Sequence, residues 1–235
     1  MEIITIPVGR LQVNCYLLIA ENKETLIIDP GDDADLIAQK ISEEQLKPLA
    51  MLATHGHFDH VMAAFELQEN FNIPFLLDPK DEFLLERLSQ TASHFLGEKV
   101  EAWPPRKITP LSIETIRELS LPKEFDFKII PTPGHTPGSA SLYFPCHPES
   151  SMKSKAKDLA EKKILRSAQN DIASCVFVGD VLFAGGGFGR TDFSYCSSAD
   201  LQKSIARLFA LPDETIIYSG HGEGSRIESE KEYFD

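Results

Sequence analysis

Seven consecutive residues, Thr54-His55-Gly56-His57-Phe58-Asp59-His60, bring three imidazoles and a carboxylate into one short segment. Burying polar side chains this densely is costly unless they hold a cation. Imidazole and carboxylate together suit a borderline metal such as zinc, manganese or iron, and no thiolate cluster is present to compete. Four potential ligands exceed the three that a catalytic zinc usually takes from its protein, so a pair of metals is the economical reading. A lone histidine, or an HxH pair, is as easily an ordinary polar residue. Asp59 and His60 are what turn the segment into a metal motif.

Three further positions could join it. His135 lies in Pro131-Thr132-Pro133-Gly134-His135-Thr136-Pro137-Gly138-Ser139, where prolines and glycines fix a loop that must present one side chain. Asp180 follows the apolar run Val176 to Gly179, and an acid there either caps a turn or meets a cation. His221 stands between Gly220 and Gly222, which let the backbone approach something closely. Asp29, in Asp29-Pro30-Gly31, is a turn-former or a carboxylate behind the ligands, and spacing favours the turn. Arg190 follows the glycine-rich stretch 185–189, which is not a P-loop, and either binds a substrate carboxylate or pairs with Asp192. His94 and Trp103 read as packing residues, and His147 as a surface residue.

The elements that must position these groups alternate. Strands are expected at Glu2 to Ile6, Val13 to Ile19 and Thr25 to Asp29, then a helix at Asp33 to Gln45. The apolar run Leu49 to Ala53 delivers the His-rich segment, and Val61 to Leu67 suits a helix. Ile73 to Leu77 predicts a strand and Asp78 to Gln90 a helix with an acidic start. Strands follow at Phe125 to Ile130, Ser141 to Phe144, Cys175 to Gly179 and Thr215 to Ser219, with an amphipathic helix over Ala199 to Leu211. The alternation implies a layered α/β arrangement. Pro145 to Ser174 is locally basic and poor in apolar residues, which predicts a solvated excursion, helical around Asp158 to Ser167.

The 235 residues suffice for one large domain with a proper core. A net charge of -13 disfavours non-specific nucleic-acid or anionic-membrane partners. The four cysteines are scattered without CxxC spacing, so free thiols are expected. Neither a secretory signal nor a membrane-spanning run is visible, which favours the cytoplasm.

Taken together, Thr54 to His60, His135, Asp180 and His221 resemble the THxHxDH and later ligand motifs of the metallo-β-lactamase superfamily over almost the whole chain except the basic excursion. The resemblance implies an αββα sandwich in one domain, 1–235, with an insertion at about 145–174. It implies two divalent ions, zinc by preference with iron or manganese as substitutes. His55, His57 and His135 would hold the first, Asp59, His60 and His221 the second, and Asp180 would bridge them. Asp180 in place of a thiolate, Gly189-Arg190-Thr191-Asp192-Phe193 and Ser219-Gly220-His221-Gly222 resemble short bacterial glyoxalase II-type proteins. The implied activity is hydrolysis of a glutathione thioester, with Arg190 as a contact for the glutathione carboxylate and Asp59 handling the proton of the nucleophilic water. Longer glyoxalase II enzymes add a C-terminal helical domain that helps grip glutathione, whereas this chain ends soon after His221.

Two metals roughly 3.5–4 Å apart make hydroxide available from a shared water near neutral pH and polarise an acyl oxygen. The main rival is a mononuclear iron persulfide dioxygenase, with His55, His135 and Asp180 as its ligands. A metal-dependent nuclease is disfavoured by the acidic composition, and a non-catalytic metal-binding protein would need a closed metal sphere.

Overall fold

The opening residues form a meander because three apolar runs are separated by tight turns. The structure, a computed structural model, describes residues 1–145, 165–167 and 174–234. Strand β1 (Glu2–Val8) pairs antiparallel with β2 (Val13–Ile19), and β2 pairs antiparallel with β3 (Glu24–Ile28). Every residue of β2 is buried, as its position between two neighbours and two covered faces requires. Helix α1 (Ala34–Glu43) then crosses to β4 (Lys47–Leu52), parallel to β3. The short α2 (Phe58–Val61) and α3 (Ala64–Phe71) lead to β5 (Phe75–Leu77), and α4 (Glu82–Leu85) and α5 (Leu88–Leu96) to β6 (Ile108–Pro110).

After α6 (Ile113–Glu118) the chain builds a second sheet from β7 (Lys128–Pro131) and β8 (Ala140–Phe144). Strand β9 (Leu165–Ser167) returns to the first sheet beside β1. Strand β10 (Cys175–Gly179) rejoins the second, pairing antiparallel with β8. A small hairpin, β11 (Leu182–Phe183) and β12 (Gly187–Phe188), precedes α7 (Ser198–Leu208). Strands β13 (Ile216–Ser219) and β14 (Ser225–Arg226) and helix α8 (Ile227–Lys231) follow. The sheets run β6-β5-β4-β3-β2-β1-β9 and β14-β13-β10-β8-β7.

Burial assigns the layers. One face of the first sheet, with Ile4, Ile6, Cys15, Leu17 and Met51, packs on Ile37 and Ile41 of α1 and Leu67 of α3. The alternate positions Ile3, Tyr16, Leu18, Leu26, Ile28 and Leu52 face Leu142, Phe144, Phe177 and Tyr218 of the second sheet. The outer face of that second sheet, Val176, Val178 and Ile217, packs on Leu201, Ile205 and Leu208 of α7. The period of two therefore separates a helix-covered face from a sheet-covered face, and the result is a four-layer αββα sandwich. Phe177 anchors the inner layer, stacked on Tyr218 at 4.9 Å and edge-on to Tyr16 at 4.9 Å. Among the described residues no helix is long and apolar enough to cross a membrane.

The helix expected over Asp78 to Gln90 is instead broken. A 3-10 turn at Pro79–Asp81 and α4 end at a tight step from Arg87 N–H to the Leu84 carbonyl, and α5 sets off afresh. Tertiary attachments redirect it: Ser89 Oγ donates to the Ala102 carbonyl at 2.7 Å, and Ser93 Oγ accepts from Val100 N–H at 2.9 Å. α5 continues past His94 and stops at Gly97, whose φ of 72° suits a helix-terminating position. The strand expected at Phe125 to Ile130 starts later, because Lys123–Phe125 is a 3-10 turn that buries Phe125. Of the helix expected around Asp158 to Ser167, only the last three residues are described, and they are strand β9. His147 and Cys146 lie outside the described residues.

Candidate metal centre

Strands of both sheets deliver the polar groups to one edge of the sandwich. His55 follows β4, His57 is the N-cap of α2, and Asp59 and His60 lie in its single turn. The rigid loop between β7 and β8 brings His135, the turn after β10 brings Asp180, and the turn after β13 brings His221. The edges are tied together directly. Ala140 N–H donates to the Thr54 carbonyl at 2.8 Å, Gly220 N–H to Gly179 at 2.8 Å, and Asn14 N–H to Gly220 at 2.7 Å.

The first group is His55, His57 and His135. His55 Nε2 lies 3.1 Å from His57 Nδ1, and His135 Nε2 lies 2.9 Å from the same atom. The outer nitrogens fix where the protons are. A carbonyl only accepts, so His135 carries its proton on Nδ1, donated to the Arg190 carbonyl at 2.9 Å. The Thr54 hydroxyl donates its one proton to Asp29 Oδ2 at 2.8 Å and must accept from His55 Nδ1 at 3.1 Å. Both rings then turn bare lone pairs inward. His57 has a single Nδ1 and can answer only one of them. Burial, followed by the neighbouring His135, lowers the His57 pKa to about 3 despite the pull of Asp59 and Asp180. Burial and the adjacent imidazoles also hold His55 well below the usual histidine range.

The second group is Asp59, His60 and His221, and Asp180 stands between the two. His221 Nε2 is 3.3 Å from Asp59 Oδ2 and 3.7 Å from Asp180 Oδ2, while its Nδ1 donates to the Leu11 carbonyl at 3.1 Å. His60 Nε2 is 3.3 Å from Asp180 Oδ1, and Asp180 Oδ2 is 3.6 Å from His135 Nε2. One carboxylate thus faces both groups. Burial resists its charge, but His60 and His221 outweigh burial and keep it ionised well below the usual carboxylate range. Burial also opposes the charge on Asp59, and the hydrogen bond from His221 reverses it. For His60, the carboxylates of Asp180 and Asp29 overcome burial and raise the pKa.

These residues fit a cation. His60 Nδ1, His60 Nε2 and Asp180 Oδ1 are buried without a hydrogen-bond partner, although carboxylate oxygens lie close by. Buried polar atoms are rarely left so. Inward lone pairs and misaligned carboxylates are the donor set a divalent ion would satisfy. Backbone space is fitted to the same centre. A Cβ on Gly220 would stand 2.3 Å from Asp180 Oδ1 and 2.6 Å from His60 Cε1. A Cβ on Gly179, where φ is +54°, would stand 2.3 Å from Thr54 Oγ1.

Asp29 corrects the sequence expectation that favoured a turn-former. Its φ of 52° does end β3 in a turn, but the carboxylate is buried behind the cluster. Oδ1 accepts from Thr54 N–H at 2.7 Å, and Oδ2 lies 3.1 Å from His60 Nδ1. Arg190 sits at the mouth, held by Asp192 through Nε and Nη2, each at 2.6 Å, and lying 4.3 Å over the Phe193 ring. Tyr195 escaped the sequence reading, because no spacing marks it. Its hydroxyl is 2.9 Å from His57 Nε2, and its ring contacts Phe193 and Phe83. His94 packs edge-on to Phe95 and takes no part.

A family model of the metallo-beta-lactamase superfamily matches residues 8–148. The chain belongs to the metallo-β-lactamase superfamily. It is 36% identical over 233 residues to hydroxyacylglutathione hydrolase GloC of Haemophilus influenzae, covering 98% of this chain and 95% of that relative. Two solved structures of the superfamily fold are similar. One is the BLEG-1 B3 metallo-beta-lactamase, at TM-score 0.75 and 31% identity over 98% of this chain and 96% of that one. The other is TTHA1623 in a di-iron-bound form, at TM-score 0.74 and 31% identity over 97% of this chain and 96% of that one. This metallo-β-lactamase-fold protein is accordingly a metal-dependent hydrolase of a fold that binds divalent metals, and it carries a His/Asp cluster that could hold them.

Proposed function

We propose that the protein is a thioester hydrolase of the hydroxyacylglutathione type, acting on a small glutathione thioester with two divalent ions, zinc by preference. The observation that carries the reading is Asp180, whose carboxylate reaches both ligand groups, Oδ1 toward His60 and Oδ2 toward His135 and His221. The near full-length similarity to a hydroxyacylglutathione hydrolase supports the substrate class.

When bound, paired divalent ions supply a water acidic enough to attack near neutral pH and polarise the acyl oxygen. The chain's residues do the rest. His55, His57 and His135 hold one side of the centre, Asp59, His60 and His221 the other, and Asp180 fixes the spacing between them. Asp59, kept ionised by His221, orients the attacking water and accepts its proton. A thiolate leaves without a strong acid to protonate it. Phe193 and Tyr195 form an apolar wall beside His57. Arg190 meets the glutathione carboxylate: Asp192 takes two of the five guanidinium donors, which leaves three for a ligand.

The test pairs elemental analysis of the purified protein with hydrolysis of S-lactoylglutathione by wild type and His57→Ala. Two ions per chain, thioester turnover and its loss in the variant are expected. Near-normal turnover by His57→Ala overturns the ligand assignment, and a single iron with oxygen uptake on glutathione persulfide overturns the reaction.

A further inference from the structure

Asp81 is fully buried, far along the chain from every ligand, and unused by the chemistry above. It lies in the 3-10 turn after β5. Its carboxylate accepts from three donors: Gly56 N–H on Oδ2 at 2.9 Å, Thr136 Oγ1 on Oδ2 at 2.6 Å, and Gly138 N–H on Oδ1 at 2.7 Å. Gly56 separates His55 from His57, and Thr136 follows His135. The three donors thus lie beside the ligands of the first group, Gly56 in the segment that runs on to Asp59 and His60, and none belongs to the loop supplying His221.

Close approach confirms that the chain is shaped around this acid. A Cβ on Gly56 would lie 2.9 Å from the Asp81 carbonyl oxygen, and a Cβ on Gly138 would lie 2.7 Å from Asp81 Cγ. Glycine at both positions lets two backbones close on one carboxylate. His55 in one loop and His135 in the other both turn bare lone pairs toward His57 Nδ1, which can answer only one of them. A buried acid that binds both loops fixes their separation before any ion arrives.

We propose that Asp81 is a positioning residue that preorganises the His55, His57 and His135 group for its ion in preference to the Asp59, His60 and His221 group. The proposal rests on the two-group reading of the site. It does not depend on the substrate. Outer partners of metal-binding residues typically govern 10–100-fold in metal affinity.

The experiment introduces Asp81→Asn into two single-group backgrounds, His221→Ala and His57→Ala, and measures zinc retention against a graded chelator, with no substrate present. In the His221→Ala background, where the first group remains, Asp81→Asn should weaken zinc at least about 10-fold. In the His57→Ala background it should change retention by less than about 3-fold, a split that a merely structural role would not produce. Equal losses in the two backgrounds, or no loss in either, overturn the proposal. If Asp81→Asn does not fold, Thr136→Val removes one of the three bonds and must give the same split with a smaller first-group loss. A background that retains no zinc at all shows instead that its own ligand group was misassigned, which is a failure of the underlying reading rather than of Asp81.

Discussion

The hydroxyl of Tyr195 stands 2.9 Å from His57 Nε2, the nitrogen that points away from the cluster, while Nδ1 of the same ring meets His55 and His135. The contact sets the ring's rotation, and the hydroxyl, able to donate or accept, is compatible with the tautomer whose bare nitrogen faces inward. Tyr195→Phe removes only that oxygen from a half-exposed side chain. Zinc affinity of the first group should fall about 10-fold with the melting temperature nearly unchanged. Chelator competition on the variant checks this, and unaltered affinity would show that the ring is held by its ion alone.

Metal removal should be visible in stability. A ligand at 1,000 times its dissociation constant stabilises by about 4 kcal/mol, which in a chain of this size corresponds to a rise in melting temperature of roughly 8–16 °C. Calorimetry with and without a saturating chelator measures it. Equal melting temperatures would mean that the cluster binds no ion with useful affinity.

Gly220→Ala places a methyl group where Asp180 and His60 already stand, at 2.3 and 2.6 Å. Displacing the shared carboxylate by even part of an ångström misaligns both groups, and hydrolysis should drop about 100-fold. Circular dichroism should report an intact fold. A wild-type rate in this variant would show that the shared carboxylate is not where catalysis needs it.

Asp29→Asn tests the proton arrangement. The amide nitrogen would donate to the Thr54 hydroxyl, which would then turn its proton onto His55 Nδ1 and move the ring proton to Nε2, inside the cluster. Metal affinity should fall 10–100-fold or so, and nitrogen NMR of the His55 ring should report the changed tautomer. Asp29→Ala instead leaves the buried Thr54 N–H without its partner and should cost about 1–3 kcal/mol of stability. Unchanged ring signals in Asp29→Asn would remove Asp29 from the tautomer argument.

Much of this cluster is legible in the sequence because its candidate ligands are rare residue types at close spacing, as in His55 to His60, or framed by glycine and proline, as at His135 and His221. The buried strands β2 and β3 are legible because continuous apolar runs have few other uses. Asp29, Asp81 and Tyr195 are not, for a shared reason. A carboxylate in a turn or a tyrosine in a loop has an ordinary local explanation, and its second role exists only through partners distant in the chain. The break near Arg87 is hidden in the same way, since the contacts that end α4 and redirect α5 come from residues 100–102.

The loop that carries His221 is held by the opposite half of the molecule as well as by its own. Val13 forms a β-bridge with His221, Asn14 Nδ2 donates to the carbonyls of Ser219 and Gly222, and Tyr16 donates to Ser219 at 2.5 Å. A nascent chain therefore emerges with its histidine-rich segment early, yet cannot close the cage until the late-synthesised end docks on the first hairpin. The cluster is therefore complete only once the two ends of the polypeptide have met.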